Sequence, residues 1–333
     1  MVTSSPQYRS VKSLAELFAR ATWSFVTAKT QHLWLILNET ALVFEEMTRN
    51  LSDAWRHNPW VDTQTEEEIP ESARETLTQA WGILKTVLFT TVMVQQSVVT
   101  ATTYLSPPSQ RTLSPESNIT PASIARILLQ ALANLSFVVT KFGGVTSTPR
   151  ASVFPQLRRL FYSALDVLST DQAASEKFVL DLCQTGRWNA TSPRLSGVMG
   201  SAQMAFSLAC IEQLVPIIGE EKIQSHILDI CIPYVILPLD VLTYLSRMMS
   251  CRNLWGYENR EVYESSHSVV LALLAAHAQR VGDGPGTGPT ADMRPNPGSN
   301  GKGKGRETVL ARPLAEKIVP FYTNCLLEVG SFS

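Results

Sequence analysis

The residues that come nearest to a chemical signature are Gly298-Ser299-Asn300-Gly301-Lys302-Gly303-Lys304-Gly305, which satisfy the G-x-x-x-x-G-K portion of a phosphate-binding loop. Such a loop works because a strand feeds it, backbone N–H groups cradle the phosphates, and a Ser or Thr after the Lys reaches magnesium. Here a Gly/Pro-rich stretch precedes the motif and Gly305 follows Lys304. The stretch is therefore expected to be a flexible basic tether, with Lys302, Lys304 and Arg306 forming only a weak patch.

Other chemistries fail on spacing. Zinc needs clustered Cys and His, and neither C-x-x-C nor H-E-x-x-H occurs; His226 and Cys231 stand five apart and are expected to pack between helices. Nucleophilic catalysis needs a poised Ser or Cys with an oriented base. Ser201 follows Gly200 without the G-x-S-x-G turn, and Ser266-His267-Ser268 lies in an apolar helical stretch where sequence neighbours point to different faces. The adjacent acids Glu45-Glu46, Glu66-Glu67-Glu68 and Glu220-Glu221 do not converge as an acid/base pair would, and read as solvated faces or helix starts. No residue is assigned to catalysis, to a cofactor or to a metal.

What remains is a chain of helices. Leu157, Leu160, Phe161, Ala164, Leu165 and Leu168 recur at the spacing of one helix face, as do Ile124, Leu128, Leu132, Leu135, Val139 and Phe142. The two patterns are joined through Phe142-Gly143-Gly144-Val145 and a Thr/Ser/Pro-rich turn. Leu132, Val139, Leu160, Phe161 and Leu165 are expected in the core. Helical patterning starts near Val11, with Leu14, Leu17, Phe18, Ala21 and Phe25 on one face, and resumes from Trp34 to Trp55. After the acidic, Pro-bounded segment 59–70, Ser72 and Glu75 have capping-box spacing and predict a helix start. From 196 to 250, Gly200, Pro216, Gly219, Pro233 and Pro238 each predict the end or kink of a helix.

Only 17% of residues are charged and 44% are hydrophobic, so much of the chain must be buried in its own core, in partners or in membrane. A net charge of −1 gives no field to steer a polyanion, which argues against nucleic acid. The five widely spaced cysteines, Cys183, Cys210, Cys231, Cys251 and Cys325, read as reduced core residues, and no secretory signal is visible. The triplets at Asn38, Asn50, Asn118, Asn134 and Asn189 are then chance matches to the glycosylation pattern. Residues 86–105 are long enough to cross a bilayer, but Gln95, Gln96 and six threonines favour a buried or membrane-surface helix. The aromatic residues Trp23, Phe25, Trp34, Phe44, Trp55 and Trp60 read as core, or as a docking groove or membrane-facing edge.

The fold predicted is all-α, an irregular HEAT-like α-solenoid or multi-helix bundle. Val215-Pro216-Ile217, Ile232-Pro233-Tyr234 and Val319-Pro320-Phe321 echo Pro-bearing HEAT helices, though without a fixed repeat period. The expected organisation is an N-terminal helical region (1–105), a Pro/Ser-rich linker (106–121), a central helical array (122–280), a disordered Gly/Pro-rich insertion (281–306) and a C-terminal helix (307–333).

Several stretches carry a resemblance. LSFVVTKFGGVTS with LRRLFYSALDVLS, AWGILKTVLFTTVMVQQSVV at 80–99, ESSHSVVLALLAA at 264–276 and LAEKIVPFYTNCLL at 314–327 resemble the fungal peroxisome-biogenesis factors of the peroxin-8 family. The resemblance implies a non-enzymatic scaffold of peroxisomal matrix-protein import, peripheral to the membrane on its lumenal side. It would bridge the receptor-docking and RING-finger complexes, contact the cargo receptor and assist cargo release, with no small-molecule substrate or cofactor. A generic HEAT-like adaptor of cytosol or nucleus is the alternative. Family members end in a Ser-Lys-Leu-type address, whereas this chain ends Gly330-Ser331-Phe332-Ser333. The expectation is that a C-terminal part lies beyond Ser333 or that entry relies on a partner.

Overall fold

The computed structural model describes residues 30–61, 69–105, 119–145, 154–185, 197–219, 226–227, 231 and 257–282. Eight α-helices run through them: α1 (Thr30–Arg56), α2 (Glu71–Tyr104), α3 (Pro121–Asn134), α4 (Ser136–Lys141), α5 (Pro155–Ser169), α6 (Gln172–Thr185), α7 (Val198–Leu214) and α8 (Tyr257–Gly282). No strand occurs among the described residues. The all-α expectation holds. The expected helix at 11–25, the sites at Pro233 and Pro238, the motif at 298–305 and the C-terminal helix lie outside the described residues. So does the insertion 281–306, except that Val281 and Gly282 close α8.

α3 sits in the middle. Its apolar residues face every direction rather than one stripe, with Ile124, Ala125, Leu128, Leu129, Ala131 and Leu132 all at 0% exposure; a helix apolar all round must be enclosed. α1 and α5 pack chiefly against it, with α2, α6 and α7 in further contact. Its start is set by a capping box: the Ser123 N–H donates to Thr120 Oγ1 at 3.0 Å, and the Thr120 N–H donates to Ser123 Oγ at 2.9 Å. Pro121 follows as the first helical residue, where a missing N–H costs nothing. Pro121, counted with the linker in sequence, therefore opens the helix.

The apolar stripe from Ile124 to Phe142 predicts one helix, but the chain breaks it at Leu135. The Leu135 N–H bonds to Leu132 O, a tighter turn that leaves the axis of α4 free to differ from that of α3. α4 then ends in a Schellman arrangement: Gly144 N–H bonds to Val139 O and Gly143 N–H to Thr140 O, both at 3.1 Å. Both glycines have positive φ, 69° and 89° respectively, the left-handed conformation this cap needs.

Aromatic rings tie the helices together. Trp55 of α1 stacks on Phe137 of α4 at 5.8 Å and meets Trp81 of α2 edge-on at 5.1 Å. Phe89 of α2 meets Phe154, which precedes α5, at 4.5 Å, and Phe161 of α5 meets Phe206 of α7 at 5.4 Å. Such pairs add about 0.5–1.5 kcal/mol each beyond the area they bury. The expected core residues Leu132, Val139, Leu160, Phe161 and Leu165 are all buried.

Two expectations, one of a helix start and one of a helix end or kink, are corrected. Ser72 does not cap α2: the helix begins at Glu71, the Pro70 carbonyl accepts the Ala73 N–H at 2.8 Å, and no side chain caps the terminus. Pro70, with φ fixed near the helical value, already places the chain for the first turn. Gly200 neither ends nor kinks a helix but lies buried in the first turn of α7. Pro216 behaves as predicted, turning the end of α7 into the 3₁₀ segment Val215–Ile217.

Candidate interaction face

Among the described residues, two helical segments are long and apolar enough to cross a membrane, Glu71–Tyr104 and Val198–Ile217, the second not singled out in sequence. In the fold, half of the apolar window of the first and 61% of that of the second are buried. The Thr-rich half of α2 satisfies its hydroxyls on its own helix. Thr86, Thr90, Thr100 and Thr103 donate to carbonyls four residues back, and Thr102 to one three back. Thr91 and Gln95 are the exception. Both are at 0% exposure, and no hydrogen bond reaches Thr91 Oγ1 or either polar atom of the Gln95 amide among the described residues.

Among the described residues, those weighed for chemistry are not brought together in one centre, and the candidate site is a surface. Ser201 starts within α7, its N–H bonded to Gly197 O. His267 is half-buried on α8, where burial lowers its pKa below the usual 6.5. Cys183, Cys210 and Cys231 are buried free thiols. Burial pushes Cys183 to about 12 and, with Cys183 as a neighbouring charge, Cys231 likewise to about 12; Cys210 rises well above its usual value. Thiols of that kind are inert. No group of three or more metal-ligating side chains occurs among the described residues.

One cleft of about 250 Å³ lies where the Gly143–Gly144 turn meets α7 and α8, lined by Ser136, Thr140, Glu212, Glu264 and Ser268 among others. Burial raises the pKa of Glu212. The volume falls below the roughly 300–1,000 Å³ of ordinary ligand sites.

The more informative surface is the outer side of α1. The inner side carries Leu33, Trp34, Leu37, Ala41, Thr48, Ser52 and Trp55, all buried. Asn134, at the end of α3, fixes α1 by donating from Nδ2 to Glu45 O at 3.4 Å and to Thr48 Oγ1 at 3.3 Å. On the outer side Leu35, Ile36, Leu42, Val43 and Met47 are exposed, Val43 by 60%. Leu35 and Leu42, Ile36 and Val43, and Glu39 and Glu46 are each seven residues apart, so the aliphatic residues flank a ridge of carboxylates. Trp34 and Trp55, read in sequence as core, docking groove or membrane-facing edge, are core, and the exposed apolar face of α1 is the aliphatic one behind them. The seven-residue spacing was the available signal, outweighed in sequence by the tryptophans.

Residues 175–275 match the family model for the PEX8 central TPR-like domain. No curated protein and no solved structure matches the chain. The matched span runs from α6 through α7 to α8, the last two forming the most extensive helix pair of the fold, and helix pairs are the unit of TPR-type architecture. With the described residues all-α and its middle matched in this way, the chain carries over residues 175–275 a match that supports a peroxin-8 identity.

Proposed function

We propose that this peroxin serves matrix-protein import as a scaffold without an enzymatic step, bridging the receptor-docking and RING-finger complexes from the lumenal side of the peroxisomal membrane, contacting the cargo receptor and assisting release of cargo. The observation that carries the reading is the family match over residues 175–275. It is supported by the outer side of α1, where a helix anchored on one side leaves a second apolar side available to a partner. The peripheral association is supported by α2, whose Thr-rich apolar stretch is packed against α5 and other helices rather than left bare.

The test is deletion in a cell that makes the protein. Matrix enzymes should remain in the cytosol while peroxisomal membranes and import receptors persist, and alkaline carbonate should release the restored protein from those membranes. Normal import after deletion would refute the scaffold role. Retention in the carbonate pellet would refute the peripheral one.

A further inference from the structure

We infer that the outer side of α1 docks a basic amphipathic helix of a partner protein, one with apolar residues at heptad spacing and Lys or Arg beside them. The inference rests on the scaffold reading, which requires partners, and adds their chemistry and the place where one binds.

Three features of α1 select this occupant. First, the apolar positions Leu35, Ile36, Leu42, Val43 and Met47 extend over more than three turns, the length on which a partner helix forms successive contacts. Secondly, Glu39 and Glu46 lie between the two aliphatic rows, both exposed, and neither forms an ion pair among the described residues. The neighbouring basic residues are already engaged: Arg49 pairs with Glu45 at 3.7 Å and Arg56 with Asp53 at 3.2 Å. Among the described residues the face therefore presents unpaired negative charge at two points one heptad apart, and complementary charge on a partner steers and fixes the register of docking.

Thirdly, the same carboxylates disfavour the alternatives. A second copy meeting this face with its own would set one glutamate ridge against another, which like-charge juxtaposition penalises. An anionic membrane surface attracts basic segments and would repel Glu39 and Glu46 as the aliphatic rows approached it.

The experiment uses the full chain and two labelled peptides, each a three-heptad amphipathic helix with the same leucines, one carrying Lys beside them and the other Glu. Fluorescence anisotropy at about 0.1 M salt, where the screening length is about 10 Å, reads the affinities. The Lys peptide should bind at least about tenfold tighter than the Glu peptide, as expected of two complementary pairs replaced by two repulsive ones. Glu39→Lys with Glu46→Lys should reverse the order, and Val43→Ser should weaken both peptides in either background.

Because all three positions are exposed, the variants should fold, and a circular dichroism spectrum matching the parent verifies it. Failure of the Lys peptide to bind, or equal binding of both peptides, overturns the inference. So does dimerisation that Val43→Ser abolishes, adsorption to phosphatidylserine-containing vesicles that Val43→Ser abolishes, or peptide binding that appears only after removal of residues 1–29. Charge-selective binding in a chain that associates with no import component would retain this face and refute the scaffold reading. Association with those components, unaffected by Glu39→Lys, Glu46→Lys and Val43→Ser and accompanied by no peptide binding, would do the reverse.

Discussion

Gln95→Leu should make the protein more stable, although it alters a fully buried residue. The amide of Gln95 lies at 0% exposure on α2, and neither its oxygen nor its nitrogen finds a hydrogen-bonding group among the described residues. A buried polar group without a partner costs about 1–3 kcal/mol. Leucine has a similar volume, so the substitution removes that cost without opening a large cavity, while the side-chain branch must still find room. Taking two unmatched atoms at the low end, about 1 kcal/mol each, and subtracting about 1 kcal/mol for imperfect repacking leaves a gain of about 1 kcal/mol. At about 2–4 °C per kcal/mol for a chain of this class, the melting temperature should rise by about 2–4 °C. Urea unfolding followed by circular dichroism gives the midpoint, and Leu88→Ala on the same helix serves as the opposite control. Leu88 is also at 0% exposure, and its truncation should cost about 2–5 kcal/mol. A Gln95→Leu chain less stable than the parent by about 1 kcal/mol or more, on the same scale, would mean that the amide is hydrogen-bonded in solution and refute the reasoning.

Further outcomes follow from single features. Thr120→Ala removes the side-chain half of the capping box on α3 and should lower stability by about 1 kcal/mol, measured by the urea midpoint; Thr120→Ser should restore most of it. Cys183, Cys210 and Cys231, buried and with raised pKa values, should not react with a thiol reagent at pH 8 until the chain is unfolded. The lowered pKa of His267 means that the unfolded chain binds the proton more readily. Its contribution is present above the unfolded value of 6.5 and is lost as pH falls below it. The stability difference between parent and His267→Gln should therefore shift against the parent on acidification from pH 7.5 to 5.5. Glu212 has the opposite sign, its raised pKa penalising the ionised carboxylate, so Glu212→Gln should be relatively more favourable at pH 7 than at pH 4.

The parts of the fold that are local in sequence were legible. The face of α5, from Leu157 to Leu168, is buried as its period demands, and Pro216 ends α7 where a residue without an N–H should. The break at Leu135 was hidden because the apolar stripe runs through it without interruption, and only the turn geometry between α3 and α4 separates them. Ser72 misled because a capping-box pair is a local signal, and the conformation set at Pro70 overrode it. The cleft beside the Gly143–Gly144 turn joins Ser136, Glu212 and Glu264, which no short-range spacing relates. The outer side of α1 was half legible: the chain shows heptad spacing at Leu35, Leu42, Ile36 and Val43, but which side faces α3 depends on where Trp34 and Trp55 bury. The resemblance to the peroxin-8 family was legible in phrases of apolar helix, one of which, at 264–276, overlaps the matched span.

The proposed scaffold role has the chain hold import complexes together, and affinity isolation of the tagged full chain from peroxisomes tests it most directly. The chain should bring down both receptor-docking and RING-finger components, and in its absence each complex should be isolated without the other. Recovery of intact docking–RING-finger assemblies from cells lacking the chain would contradict the account.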